Sequence, residues 1–161
     1  MTDRILLPIK TYEQGKFAVE TILNNKEENA SEIRLLHCIE NKLGRPSFFS
    51  ATEAIRLADE QSDRVDDSQH FLEELGKRLV DSLQDVRISV KSTLVDTVHE
   101  GILDEAEIMK ATKIMIVTEP ERKLRWFGPE ISTRIMSNAK IPVHIIKPAM
   151  RKGPHNSPRV A

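Results

Sequence analysis

The sequence predicts an α/β fold: a doubly wound, Rossmann-like parallel sheet of five strands in the order 3-2-1-4-5, with helices on both faces. Three observations carry this. Five short apolar or β-branched runs, Ile5 to Ile9, Ile33 to Ile39, Val86 to Val95, Ile114 to Val117 and Val143 to Ile146, alternate with segments of helical period. Alternation on this scale requires parallel strands joined by right-handed crossovers. The first and fourth runs are continuously apolar, as in strands covered on both sides, whereas Val86-Arg87-Ile88-Ser89-Val90-Lys91 alternates and suits an exposed edge. In such a sheet ligands bind beyond the carboxyl ends of the strands where the winding reverses, here between strands one and four.

The gaps justify the helices in turn. The first carries Ala18, Val19, Ile22 and Leu23, two pairs at i,i+4 spacing on one helix face. The second follows the loop Gly44-Arg45-Pro46, opens with Ser50 and Glu53 in capping-box spacing, and ends in Leu72, Leu75, Leu79 and Leu83. Its polar middle, Asp59 to Asp67, reads as a solvated helix surface or a break between two helices. The third carries Val98, Ile102, Ala106 and Met109, with Thr97 and Glu100 as a second capping box. The fourth carries Ile131 and Ile135 after Gly128-Pro129.

At 161 residues the chain fits a single domain, expected over residues 1–148. Residues 149–161 are expected to form a mobile tail, since Met150 to Ala161 has little apolar content and two prolines. A net charge of −1 creates no long-range field toward nucleic acid or an anionic membrane. No apolar stretch approaches the roughly 20 residues that span a bilayer, so no membrane insertion is expected. The amino terminus leads straight into Ile5-Leu6-Leu7 without the pattern of a secretory leader, and a cytoplasmic location is expected. The single cysteine, Cys38, cannot form an internal disulfide.

Four segments together resemble the universal stress protein family, in order and over residues 4 to 148. Ile5-Leu6-Leu7-Pro8-Ile9-Lys10 is similar to that family's opening strand, commonly an apolar pair, Val-Pro-Val and then Asp, and Leu35-Leu36-His37-Cys38-Ile39 to its Leu-His-Val strand. Ile102 to Glu107, leading through Ala111 into Ile114-Met115-Ile116-Val117, resembles its third helix and fourth strand. Ile131 to Met136 before Ile141-Pro142-Val143 resembles its closing helix and fifth strand.

Departures from the family pattern bear on function. Its nucleotide-binding members carry Gly, two residues, Gly, nine residues and then Gly-Ser or Gly-Thr after the fourth strand, where small residues let backbone amides close on phosphates. Here the region runs Val117-Thr118-Glu119-Pro120-Glu121-Arg122, without either early glycine, and only Gly128 matches the later part. Pro120 removes an amide donor, and Glu119 and Glu121 place negative charge where a polyphosphate needs none. Lys10 stands where the family's aspartate contacts base or ribose, so a donor-only cation replaces an acceptor. This resembles the subgroup without the glycine motif. Lys10 is expected to pair with Glu119 or Glu121 across the switch point, the other reading being a small-anion site with Arg122.

Other constellations point elsewhere only weakly. The five histidines have no pair at metal-ligand spacing, and no metal is expected. Nucleophilic catalysis would need an exposed serine or cysteine beside a base, yet Cys38 falls in a strand run and no Gly-x-Ser-x-Gly occurs. His37 reads as a packed residue with one hydrogen bond rather than a catalyst. A phosphoacceptor receiver would need an acidic pair where Lys10-Thr11 stands, despite Lys147-Pro148 resembling its Lys-Pro signature. Trp126 and Phe127 stand beside Arg122, Lys123 and Arg125; Trp126 reads as core packing of the last helix against the sheet, the other reading being contact with single-stranded nucleic acid or a protein partner.

The expected function is therefore a non-catalytic stress-response regulatory or binding module with no cofactor. It would work as a homodimer through the last strand, Val143, His144, Ile145 and Ile146, whose free apolar edge invites a second copy. The alternative is an ATP- or AMP-binding protein or weak ATPase with a non-standard loop, its site drawn from Ile9, Lys10, Cys38, Val117, Gly128 and Ser132.

Overall fold

The computed structural model describes residues 2–25, 29–44, 50–118 and 129–147. Its elements run β1 (Asp3–Pro8), α1 (Tyr12–Asn25), β2 (Ala30–Glu40), a 3-10 turn (Lys42–Gly44), α2 (Ala51–Ser82), β3 (Arg87–Val95), α3 (Val98–Ile108), β4 (Lys113–Val117), α4 (Pro129–Asn138) and β5 (Val143–Ile146). The five strands form one sheet in the order β3-β2-β1-β4-β5, every pairing parallel. This is the sheet expected from the sequence.

Alternating residues of the strands feed two cores. Ile5, Leu7, Ile9, Ile33, Leu35, Met115 and Val117 pack with α1 and α2. Leu6, Leu36, Ile114 and Ile116 pack with Ile102, Ala106 and Ile135 of α3 and α4. At the centre Ile5, Leu6 and Leu7 are all fully buried, the signature of a strand covered on both faces. The expected edge strand β3 shows no fully buried residue.

The polar stretch Asp59 to Asp67 is not a break, because α2 runs unbroken through it to Ser82, and it is solvated except at buried Gln61, whose side chain bonds Lys42 N and Asn41, and half-buried Val65. Ser50 caps α2 as expected, its side chain accepting from the Glu53 amide at 3.2 Å. The second capping box is not made: Thr97 sits at the N-cap of α3 in extended conformation, but its hydroxyl makes no capping bond and is buried without a partner. Spacing alone sets where a capping hydroxyl stands, not the rotamer that aims it. Tyr12 and Gln14 begin α1 earlier than its apolar pairs indicate, and Gly15 lets that helix sit close to its neighbours, since a Cβ there would overlap Leu75 Cδ1 and meet Ile9 Cγ2 at 3.0 Å.

Helix α3 stops at a left-handed residue, Lys110, with φ 54°. Its amide donates to Glu107 O at 3.1 Å, and Ala111 N donates to Ala106 O at 2.8 Å, closing the helix end. A side chain in that conformation is strained, so Lys110→Gly should raise stability by roughly 0.5–1 kcal/mol, read as a higher urea midpoint with unchanged slope.

Candidate binding site at the switch point

The carboxyl ends of β1 and β4 are bridged by a side chain rather than by backbone. Pairing between them is recorded at Ile5–Lys113 and Leu6–Ile114, and further along Gln14 of α1 spans the gap. Its Nε2 donates to Val117 O at 3.2 Å and to Pro8 O at 3.5 Å, while its Oε1 accepts from the Lys10 amide at 2.8 Å. Gln14 is completely buried. Nothing in the sequence singles it out, because a glutamine in the first turn of a helix reads as surface.

On the α3/α4 side of the same strand ends lies a cavity of about 280 Å³. Its described lining includes Pro8, Ile9 and Lys10 from the end of the first strand run, Leu36, Cys38 and Glu40 from β2, Val98 and Ile102 from α3, and Ile131 from α4. Three of the candidate residues, Ile9, Lys10 and Cys38, thus meet at one opening. Val117 and Ser132 are not among its lining residues: Val117 packs in the α1/α2 core, and Ser132, 6% exposed on α4, has a hydroxyl without a partner. Gly128, the expected pairing partners Glu119 and Glu121, the other candidate Arg122, Trp126 with Phe127, and the tail from 149 onward lie outside the described residues.

Backbone groups beside the cavity are already engaged. The Ile9 amide donates to Leu36 O at 2.7 Å, and Lys10 N donates to Gln14. His37 Nδ1 lies 2.8 Å from Ile9 O, which fixes Nδ1 as the protonated, donating nitrogen. Its ring stands edge-on to Phe71 at 5.4 Å between centroids. Burial pushes the His37 pKa down, against the raising effect of the Ile9 hydrogen bond and with help from the Arg64 charge. His37 is thus the packed, singly bonded histidine the sequence suggested.

Cys38 and His37 are neighbours in β2 and project to opposite faces, since side chains alternate along a strand. Phe71 belongs to the α1/α2 core and Cys38 to the α3/α4 core. Burial pushes the Cys38 thiol up to about 12, with the Glu105 charge adding to it and Lys91 opposing. Nucleophilicity resides in the thiolate, so alkylation of Cys38 by iodoacetamide at pH 8 should run at least ~100-fold slower than that of an exposed cysteine and recover in urea. A rate like free cysteine's in the folded protein would refute the buried, protonated thiol.

An ion network ties α3 to the sheet. Glu105, 3% exposed, accepts from Arg34 at 2.5 Å and from Lys91 at 2.7 Å. Glu32 bridges Arg4 at 2.9 Å and Arg34 at 3.4 Å. Among the described residues no group of three His, Cys, Asp or Glu side chains could hold a metal ion, and no helix is long and apolar enough to cross a membrane.

The fold has relatives of known structure. UspA from Lactobacillus plantarum superposes with a TM-score of 0.67 at 10% identity, over 91% of this chain and 99% of that one. A universal stress protein from Archaeoglobus fulgidus in complex with dAMP gives 0.56 at 16% identity, over 90% and 98% of the two chains. A universal stress protein in complex with cAMP gives 0.53 at 10%, over 92% and 100%. No curated protein matches by sequence. The model of the universal stress protein family matches residues 1–147, and the chain belongs to that family.

Proposed function

We propose that this chain is a non-catalytic binding and regulatory module that works as a homodimer and does not hold a nucleoside triphosphate. The state of the strand-end cavity is the observation that supports this most. The amides of Ile9 and Lys10 beside it already donate within the protein, so they are not available to phosphate oxygens. The sequence after β4 supplies Glu119, Pro120 and Glu121 in place of the glycines. The cavity's one thiol is held protonated, and His37, its neighbour in β2, is committed on the other face, an arrangement that favours binding over turnover.

Dimerisation is assigned to β5. Val143, Ile145 and Ile146 there are only half-buried and His144 is exposed. Among the described residues no strand pairs with its outer side, the condition in which an antiparallel contact with a second copy removes an open edge. A cytoplasmic setting is part of the same proposal.

One observation favours the alternative of nucleotide binding. The Ser132 hydroxyl, near the amino end of α4, is buried and unpartnered, and a helix start with a spare hydroxyl suits an anion. Calorimetric titration with ATP and AMP separates the two. No saturable heat up to millimolar nucleotide is expected; micromolar binding abolished by Ser132→Ala would establish the alternative.

A further inference from the structure

We propose that the strand-end cavity takes a small ligand of zero net charge with an apolar body and a zwitterionic head, of the chemical class of a free apolar amino acid. The inference deepens the reading of the cavity as a binding site and rests on it. At about 280 Å³, the cavity has room for about nine waters at roughly 30 Å³ each, the bulk of a ligand of about a dozen non-hydrogen atoms.

The walls settle the character of the body. Leu36, Val98, Ile102 and Ile131 are aliphatic, and Cys38, with its pKa raised to about 12, is a neutral, polarizable surface. Polar recognition by the strand-end amides is closed, because Ile9 N and Lys10 N donate to Leu36 O and Gln14 Oε1. Side chains at the opening must therefore read the head.

Among the described lining residues two carry charge, Lys10 and Glu40, and their signs are opposite. Both already interact with other groups of the protein, so an incoming head has to compete with those interactions. A carboxylate alone satisfies Lys10 but faces Glu40, and an ammonium alone does the reverse. A head carrying both groups satisfies the pair, with its carboxylate toward Lys10 and its ammonium toward Glu40, while its side chain enters the aliphatic throat. A polyanion meets the Glu40 charge with no further cation among the described lining residues, which fits the absence of a glycine loop.

L-phenylalanine, its N-acetyl derivative and its amide make the test, each titrated calorimetrically into the full-length protein, with ATP in parallel. L-phenylalanine should bind at least ~10-fold tighter than either singly charged derivative. Lys10→Met should remove the preference over the amide and Glu40→Gln the preference over the N-acetyl compound; both side chains are solvent-exposed, so the fold is retained. Equal affinity for all three compounds, or no binding of any, overturns the inference. If ATP is also silent, the non-nucleotide reading of the site stands without it; ATP binding in the absence of phenylalanine binding defeats both.

Discussion

Gln14→Leu should destabilise the protein by about 3–4 kcal/mol, the largest effect of any single polar substitution away from the ion network. The substitution keeps the volume and the apolar environment of α1, but it leaves the Lys10 amide and the carbonyls of Pro8 and Val117 without the partner they have now. Each buried group so stranded costs about 1–3 kcal/mol, less where a carbonyl has a second bond or where water can enter. The Pro8 contact at 3.5 Å is the weakest of the three. Gln14→Glu is the informative companion: it preserves shape and the acceptor for Lys10 N, yet turns a donor into an acceptor facing two carbonyls. Urea unfolding of both variants measures the effect. A loss below about 1 kcal/mol in Gln14→Leu would mean that the strand ends close on each other without the bridge.

Glu105→Ala should cost about 3 kcal/mol at neutral pH, and the deficit should shrink in acid. The carboxylate is the shared acceptor of Arg34 and Lys91, and removing it leaves two cations against α3, the situation in which breaking a buried pair is most damaging. The lower end of the usual range applies because Lys91 is 42% exposed. Burial by itself pushes the Glu105 pKa up, but the hydrogen bonds and charges of Lys91 and Arg34 outweigh it and hold the group below its ordinary 4.5. A depressed folded value means that the unfolded chain takes up the proton first. The stabilisation is therefore fully present above pH 4.5 and is lost as pH falls through the folded value. Urea midpoints of wild type and variant should converge as pH falls from neutral through the lowered folded value; a gap independent of pH would assign the effect to packing rather than charge.

Much of the architecture was legible because it depends on averages over many residues. Continuous apolarity marks β1 and β4 as central, the alternation of Ile88 and Val90 with Arg87, Ser89 and Lys91 marks β3 as an edge, and the sheet order follows. Leu72, Leu75 and Leu79 sit in the core where the helical period puts them. Part of the site was legible too, since the meeting of Ile9, Lys10 and Cys38 is dictated by the topology of adjoining strand ends. What escaped notice were single polar residues whose role is fixed by tertiary position. Glu105 stands in an acidic helix segment, Asp104-Glu105-Ala106-Glu107, where nothing separates the buried carboxylate from its solvated neighbours until Arg34 and Lys91 are placed across from it. Gln14 is the same case, and Thr97 is its converse, a hydroxyl at the right spacing whose side chain does not turn to the helix.

The central position of β1 has a consequence for synthesis. One of its flanks is supplied by β2, beginning at Ala30, but the other belongs to β4, which begins at Lys113. At roughly 5–20 residues per second a ribosome takes on the order of ten seconds to travel from one to the other. Throughout that interval Ile5, Leu6 and Leu7 have only half their eventual cover, and the pairing that completes it is among the most distant in the chain, which slows its closure. A nascent chain halted before residue 113 therefore exposes the very strand that the finished molecule hides best.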